Sequence, residues 1–424
     1  MKKITMTDMM KAMFELEREE NLKCTLLGIG PMSPDLIEAS FLLAREKDFP
    51  LMFIASRNQV DADELGGGYV CNWDQYRFVD DISKISSKTG FEGLYYICRD
   101  HGGPWQRDNE RNEKLPPEKA MQLAKESYLA DLLAGFDLLH IDPTKNPHYE
   151  GVVPIDLVLD YTVELIEYIE SERKKRDLPP VAYEVGTEET NGGLTSVDIY
   201  MDFIKELNSR LSAKGLPSPV FIVGQTGTLT RNTENIGHFD GDTAQRLSDA
   251  AKKYSVGLKE HNGDYLSEKI LYMHPLLGIT ATNVAPEFGV VETRACLMLA
   301  DIENYMFERN RIKEKSNFVK TIQQESIKSG RWKKWLGGEL ANLSLDDILK
   351  DEKISHLITE ICGHYTFDNP AVKQERMRMY NNLSELGLNP HEIVISNLKK
   401  SIGKYVECFN LSGLTTRIKN RIAG

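Results

Sequence analysis

Two histidines in this sequence stand beside carboxylates in short polar segments. His101 directly follows Asp100, and His261 lies between Glu260 and Asp264. Imidazole nitrogens and carboxylate oxygens are the ligands that zinc, manganese and cobalt bind in proteins. A carboxylate beside such a metal can also transfer protons. Together the two segments favour a divalent-metal site, although either histidine alone is better explained as a residue that caps a strand or hydrogen-bonds within the fold.

Other polar residues follow short apolar runs in the same way. Glu188, four residues after Glu184, is expected to complete the metal site with the two histidines. His140 and Asp142 are two residues apart and would share one face of a strand, so we expect Asp142 at the site and His140 as a satisfied interior residue below it. Nucleophilic catalysis is less favoured, because Cys98 has no evident base and no GxSxG motif is present. The remaining candidates at these positions are Asn58, Gln59, Gln225 and Asn283.

The candidate residues follow eight short apolar runs that alternate with helical patterns. The runs predict strands at 25–28, 51–55, 94–98, 138–141, 181–185, 220–223, 256–259 and 278–284. Helical periodicity between them predicts helices at 34–46, 117–134, 155–171 and 196–213. Such alternation indicates a parallel sheet with helices outside it, and eight units over roughly 300 residues favour a closed barrel. An open Rossmann-type sheet is less favoured, because Gly28-Ile29-Gly30-Pro31 does not supply a GxGxxG turn.

The pattern changes after residue 310, where strand signals end and charged helical segments dominate. Helices are predicted there at 317–329, 345–351, 354–361, 371–386 and 390–406. The predicted fold class is therefore α/β, with a (β/α)8 TIM barrel over residues 1–310. A helical C-terminal subdomain is predicted over residues 311–424.

Composition and charge argue against several other classes of protein. The net charge of -12, from 52 Lys+Arg against 64 Asp+Glu, is unfavourable for nonspecific nucleic-acid binding. The longest apolar runs are far shorter than a membrane span, and no secretory-type stretch follows the N-terminal Met1-Lys2-Lys3. Six cysteines without CxxC spacing are typical of reduced thiols. We expect a soluble cytoplasmic protein with no nucleic-acid or membrane partner.

The polar segments at the strand ends carry a resemblance to a known family. In order and spacing they resemble the Z-type subunit (GatZ/KbaZ-like) of class II D-tagatose-1,6-bisphosphate aldolase. The family is a TIM barrel related to the zinc-dependent class II fructose-bisphosphate aldolases. The segments that carry the resemblance are Ser56-Arg57-Asn58-Gln59-Val60, Gly67-Gly68-Tyr69, Asp100-His101-Gly102-Gly103-Pro104, His140-Ile141-Asp142, Gly186-Thr187-Glu188 and Glu260-His261 with Asp264-Tyr265.

The resemblance implies a role for each of these residues. Class II aldolases have an Asp-His pair in which the histidine binds zinc and the aspartate acts on the substrate hydroxyl, and Asp100-His101 is similar. The resemblance implies His261 as a second metal ligand and Glu188 or Glu184 as the acidic ligand. The middle histidine ligand of those enzymes corresponds to a position near Gln225 in this chain. Arg99 departs from the family, which usually has a glycine before the Asp-His pair. The expected acid/base residues are Asp100 and Glu188, and the expected substrate-binding residues are Asn58, Gln59, Asp142, Asn283, Asp264 and Arg294.

Two functions from different classes follow from this resemblance. The first is a metal-dependent enzyme of ketose or ketose-phosphate metabolism, either a 4-epimerase of the tagatose/fructose type or a class II aldolase. Zinc is the expected metal, with manganese and cobalt as alternatives. The second is a non-catalytic subunit that stabilises a class II aldolase catalytic subunit. The expected partners are a ketose or ketose phosphate, together with that catalytic subunit or further copies of this chain.

Overall fold

The barrel consists of eight parallel strands that close on themselves. We describe the protein from a computed structural model, and the structure describes residues 3–187, 193–336 and 342–423. Each strand pairs with its neighbours in the sequence, and the first pairs with the last, so the predicted (β/α)8 barrel is confirmed. The strands are β1 (Leu26–Ile29), β2 (Leu51–Ser56), β3 (Tyr95–Gly102), β4 (Leu138–Ile141), β5 (Ala182–Val185), β6 (Phe221–Val223), β7 (Gly257–Glu260) and β8 (Ala281–Val284).

Helices surround the strands in the predicted alternation. Local chemistry sets their ends: Ser33 caps the helix after β1 by accepting a hydrogen bond from Leu36 N, and Pro34 occupies its first turn. The helices up to the end of the barrel are α1 (Met6–Glu20), α2 (Pro34–Lys47), α3 (Gln75–Thr89), α4 (Asp108–Asn112), α5 (Pro117–Ala134), α6 (Ile155–Lys175), α7 (Val197–Ala213), α8 (Gly241–Lys252), α9 (Glu268–Leu277) and α10 (Pro286–Glu308). In the loop after β6, residues 230–231 and 234–235 form a short antiparallel hairpin.

Most strand boundaries lie within one residue of the prediction, and the two larger differences have identifiable reasons. The eighth strand was predicted from residue 278, but Gly278 has a φ of +78° and ends α9, because its N–H donates to the carbonyls of His274 and Pro275. The third strand continues past residue 98 to Gly102. Asp100 and His101 therefore lie within β3 and not after it.

Helix α1, which was not predicted, lies across the N-terminal ends of the strands. Its buried face is rich in methionine, from Met6 to Met13. At one end Lys3 Nζ donates to Asp137 Oδ1 (2.6 Å), just before β4, and at the other Lys252 Nζ, just before β7, donates to Glu17 Oε1 (2.5 Å). This helix therefore covers the end of the barrel opposite to the polar strand ends.

The chain after the barrel is helical, as predicted. Its helices are α11 (Phe318–Lys328), α12 (Trp332–Trp335), α13 (Leu345–Lys350), α14 (Glu352–Cys362), α15 (Pro370–Glu385), α16 (Pro390–Cys408) and α17 (Leu414–Ala423). Part of this region forms a small core of its own around Trp332, Ile348 and Ile358. Residues of α15 to α17 instead join the main core of the barrel. The domain boundary at residue 310 stays a prediction. In the described ranges, no helix combines the length and the apolar character that a membrane crossing requires.

Candidate metal centre

Six ionisable side chains meet at the C-terminal mouth of the barrel. Four of them, on four different strands or directly after them, place possible ligand atoms within 4.8 Å of one another: Asp100, His140, Glu184 and His261. His101 and Asp142 form a second such group that shares His140. All but His101 are buried. We call these residues the metal-centre cluster: Asp100, His101, His140, Asp142, Glu184 and His261.

A bulge in β3 turns two consecutive side chains into the same site. The register of β3 against β4 shifts between Arg99 and Gly102, and His101 has a φ of +43°. In a regular strand, neighbouring residues point to opposite faces, and a bulge removes that alternation. Asp100 and His101 can therefore both contact the cluster, while Arg99 points away from the barrel interior.

Asp100 lies between an amide and three imidazole rings. Asn283 Nδ2 donates to its Oδ1 at 3.0 Å, and the nearest nitrogens of His140, His261 and His101 lie 3.8, 3.8 and 4.0 Å from that oxygen. Burial raises the pKa of Asp100, but the neighbouring imidazole groups of His101, His261 and His140 lower it by more. The net effect holds the pKa well below its usual range, so Asp100 is a carboxylate that can accept a proton.

Asp142 orients the ring of His101. Its Oδ2 lies 2.7 Å from His101 Nδ1, and Thr144 N donates to its Oδ1 at 3.2 Å. An ionised carboxylate accepts the Nδ1 proton, which leaves the lone pair on Nε2. That Nε2 lies 3.0 Å from His261 Nδ1. The pair Asp142–His101 therefore has the arrangement of a metal-binding histidine and its supporting carboxylate.

Glu184 is held from both sides at the bottom of the cluster. Its Oε1 lies 3.0 Å from His261 Nε2, and Lys259 Nζ donates to its Oε2 at 2.5 Å. Both partners of this ion pair are fully buried. Burial raises the pKa of Glu184, but Lys259 above all, with His140 and His261, lowers it to about 2. One oxygen of Glu184 is therefore fixed by lysine while the other faces the histidines.

His140 has one ring nitrogen without a partner. Its Nδ1 accepts a hydrogen bond from His101 N (3.1 Å), whereas Nε2 is buried and has no hydrogen-bond partner in the described part of the chain. The neighbouring Gly186 keeps this space clear, since a Cβ there would lie 3.3 Å from that nitrogen and 3.0 Å from Asp142 Oδ1. An orphaned buried imidazole among carboxylates fits a divalent cation, because imidazole nitrogen and carboxylate oxygen are its usual ligands.

Several predicted site residues lie elsewhere at the mouth. The side chain of Asn58 binds the next loop, donating to Gln106 O and accepting from Asp108 N. Gln59 accepts from Ser56 N within its own turn. Asp264 accepts from the backbone N–H groups of residues 285 and 287, at the start of α10. These three contacts shape loops around the cluster and leave the predicted substrate contacts as predictions.

Of the other predicted residues, some lie in or beside the metal-centre cluster and some do not. The structure brings together Asp100, His101, Asp142, His261 and Asn283. Arg294 lies on the outer part of α10, half-exposed, where it pairs with Glu360 of α14 (3.1 Å). Gln225 uses its backbone N–H to bind Thr195 Oγ1 (2.8 Å). Glu188 lies outside the described residues, so its predicted role as ligand and acid/base group stays a prediction.

A buried network of charges supports the loops after β2 and β3. Arg99, the departure from the family pattern, donates to Asp131 from the outer side of β3 and to the carbonyls of Ala55 and Val60. Arg57 binds Glu110 and, together with Arg107, Asp61. Three positive and three negative groups thus balance one another. We call this the arginine network: Arg57, Arg99, Arg107, Asp61, Glu110 and Asp131.

Three residues of the site were not assigned to it from the sequence. Lys259 was read only as the end of a strand, His140 as a satisfied interior residue, and Glu184 only as an alternative to Glu188. A signal was present, because Lys259 and His261 are two residues apart and so share a face. A lysine and a glutamate that both point into the interior of one barrel must pair with each other or with a ligand.

Comparison with known protein families identifies the family of this chain. The sequence profile of the family described as "D-tagatose-1,6-bisphosphate aldolase subunit GatZ/KbaZ-like" matches residues 10–407. The chain belongs to this family. Membership of the GatZ/KbaZ-like family places it in ketose metabolism. No match was found among curated proteins.

Solved structures share the fold at low sequence identity. A protein described as a probable tagatose 6 phosphate kinase from Sinorhizobium meliloti has a TM-score of 0.74 and 17% identity, covering 91% of this chain and 100% of its own. A fructose-bisphosphate aldolase from Campylobacter jejuni has a TM-score of 0.55 and 10% identity, covering 96% and 95%. The fructuronate-tagaturonate epimerase UxaE from Cohnella laeviribosi has a TM-score of 0.55 and 13% identity, covering 92% and 82%. These likenesses show the barrel fold.

Proposed function

We propose that the protein is a metal-dependent enzyme acting on a ketose or ketose phosphate, as a 4-epimerase or a class II aldolase. The observation that carries this proposal is the metal-centre cluster, whose buried carboxylates and imidazoles meet at the mouth where TIM-barrel enzymes have their active sites. A stabilising subunit would not require an orphaned His140 nitrogen in the same cluster as an ionised Asp100. Membership of the GatZ/KbaZ-like family supports the ketose substrate.

The proposed cofactor is one divalent cation, with zinc favoured over manganese and cobalt. His101 and His261 would hold it, with Glu184 as the acidic ligand and Glu188 as a further ligand outside the described residues. When bound, the cation supplies positive charge that polarises the substrate carbonyl. Asp142 keeps the His101 lone pair directed at the site, and Lys259 holds Glu184 in place.

Asp100 is proposed to move the proton of the reaction. It would accept the proton of the C4 hydroxyl, the C3–C4 bond would break, and the products would be an aldehyde and a three-carbon enediolate. In an aldolase the aldehyde leaves, and the enediolate takes up a proton at C3 to become the three-carbon ketone product. In an epimerase it rotates and adds back from its other face, and Asp100 returns the proton to the new C4 oxygen, so atoms and electrons balance without a redox cofactor. Asn283, which donates to Asp100, would keep that carboxylate aligned.

The second candidate function is a subunit that stabilises a separate class II aldolase catalytic subunit. The family description, which calls its members aldolase subunits, supports this alternative. It predicts no turnover by the purified chain. A cytoplasmic location is also proposed, since the described cysteines are all unpaired.

The test combines metal content with sugar assays on the purified chain. Fructose, tagatose and their 6-phosphates are incubated with and without chelator, and cleavage products are measured alongside epimers. Near-stoichiometric metal and chelator-sensitive interconversion or cleavage support the enzyme. In Asp100→Asn, which keeps the shape of the side chain, turnover should fall by about 10²–10⁴-fold while the metal is retained. A metal-free chain that stays inactive after zinc or manganese is added would instead favour the subunit.

A further inference from the structure

A cavity beside the metal-centre cluster is lined by positive charge. It has a volume of about 320 Å³ and lies at the same mouth, over the loops that follow β4 and β5. Thr144 and Lys145 line it from the first loop, Thr187 from the second and Arg111 from the helix α4. Its size is in the range of small-molecule sites, about 300–1,000 Å³.

The charges of the lining are unbalanced in a way that favours an anion. No carboxylate belongs to the described lining residues, although the chain as a whole carries a net charge of -12. Arg111 has a partner, since it pairs with Asp108. Lys145 is half-buried and forms no ion pair with any residue that the structure describes. Asp142, on which the charge of Lys145 acts from a longer distance, is already bound by His101 and Thr144. A half-buried ammonium group with no direct salt bridge is suited to bind an anionic ligand.

The cavity and the metal-centre cluster are neighbours, linked by hydrogen bonds between Thr144 and Asp142. Thr144, in the wall of the cavity, donates to Asp142, and Asp142 in turn binds His101. Thr187 follows Glu184 by three residues, with Gly186 between them beside Asp142. Thr144 and Gly186 therefore lie between the cluster and the cavity.

We propose that this cavity binds the anionic terminal group of the substrate, with Lys145 as its main positive contact. The inference rests on the proposed function for the identity of the substrate, and it narrows that substrate to a ketose with a phosphate or carboxylate at the end far from the reacting carbons. Arg111, Asn146 and Tyr149 supply further hydrogen-bond donors around the same space.

Binding of inorganic phosphate to the full chain, measured by calorimetry in the presence of chelator, tests the cavity without any chemistry. The variant is Lys145→Met, and the matched control is Lys205→Met, which removes an exposed lysine of α7 away from the cavity. Loss of one charged contact should weaken phosphate binding about tenfold. The control and Lys145→Arg should bind as the wild type does. Equal phosphate affinity in wild type and Lys145→Met would overturn the proposal.

Kinetics separate this proposal from the proposed function. If the chain turns over ketoses, Lys145→Met should raise KM for the 6-phosphate about tenfold and leave KM for the neutral ketose unchanged. A rise confined to a ketouronate would assign the cavity to a carboxylate end group. If Lys145→Met turns over both anionic substrates with unchanged KM, the proposed role of the cavity is wrong, but the proposed enzyme activity is unaffected. If the wild-type chain is inactive but binds phosphate, and Lys145→Met loses that binding, the proposed enzyme activity is refuted and the anion site is supported.

Discussion

Asp100 faces the space between three imidazole rings with an oxygen that already accepts one hydrogen bond. The amide of Asn283 provides that bond at 3.0 Å, and the nearby histidines keep the carboxylate ionised. A base of this kind is held in position by a hydrogen bond to one of its oxygens, so its remaining lone pairs are free for a substrate hydroxyl. The same logic applies to Glu184, which Lys259 fixes from below.

The ion pair of Lys259 and Glu184 gives the first prediction. In Lys259→Met, Glu184 becomes a buried carboxylate without its lysine. We expect the free energy of unfolding of the chelated protein to fall by about 3–5 kcal/mol, because an uncompensated buried charge is left behind. Urea unfolding monitored by fluorescence measures this fall in the free energy of unfolding.

The control for this prediction is the double variant Lys259→Met with Glu184→Gln. Removing the second charge should restore much of the lost stability, since a neutral pair in the interior needs no counter-ion. If the double variant is as unstable as the two losses added together, the two side chains do not stabilise each other as an ion pair.

At the scale of elements, the bulge in β3 determines the geometry of the site. Two glycines allow it: Gly102, where a Cβ would lie 2.7 Å from His140 O, and Gly103, with a φ of +121° and a Cβ position 2.7 Å from Asp142 O. The strand can approach β4 this closely only because neither residue has a side chain. The bulge therefore depends on both glycines.

A comparison of two glycines tests this dependence. Gly135, at the end of α5, also has a positive φ (+92°) but has open space around its Cβ position. Gly135→Ala should cost about 1–2 kcal/mol of unfolding free energy from backbone strain alone. Gly103→Ala should cost about 1–3 kcal/mol more, because its methyl group meets the Asp142 backbone, and it should also weaken metal binding. Similar losses in both variants, with metal affinity unchanged, would contradict this role of Gly103.

The sequence predicted the elements better than the contacts between them. All eight strands and the helix at 117–134 appear close to where the apolar pattern placed them, since burial of apolar side chains determines both. The bulge escaped prediction because it depends on how β3 pairs with β4, which is a contact between elements distant in the sequence. The partnership of Lys259 with Glu184 was also missed, because it depends on which residues meet across a closed barrel. Helix α1 was missed because its apolar face consists of methionines among charged residues.

At the scale of the whole molecule, Arg376 links the C-terminal helix α15 to two helices of the barrel. Arg376 of α15 lies 3.3 Å from Asp35 of α2 and 3.7 Å from Glu292 of α10. Ser33, at the start of α2, donates to the other oxygen of Glu292. Burial, together with the charge of Asp35, raises the pKa of Glu292 to about 8 against the effect of Arg376.

This raised pKa predicts that stability decreases as the pH rises. A carboxyl group whose pKa is higher in the folded than in the unfolded chain binds more protons when the chain is folded. Its contribution to the free energy of unfolding is therefore lost as the pH rises from about 4.5, the ordinary pKa, to about 8, the folded pKa. Urea unfolding from pH 5 to pH 9 should show this fall, and Glu292→Gln, which stays neutral, should flatten the profile. Glu303→Gln, a change of another buried glutamate on the same helix, should lower stability without removing the slope.

Metal removal is a second prediction at this scale. A cation that binds only the folded protein adds about 2.7 kcal/mol to the free energy of unfolding at 100 times its Kd. Zinc should therefore raise the unfolding midpoint of the chelated chain. His261→Ala should abolish this rise, whereas His356→Ala, on an exposed part of α14, should preserve it. An equal zinc effect in both variants would place the cation outside the metal-centre cluster.

The arginine network also limits how this protein can change over evolutionary time. Each of its buried charges balances another, so loss of any one alone leaves a charge stranded in the interior, at a cost comparable to the stability of a whole domain. Arg99 and Asp131 are therefore expected to be inherited or exchanged as a pair. Across related sequences their identities should vary together, and a lineage that replaces Arg99 by glycine should also have lost the acidic group at 131.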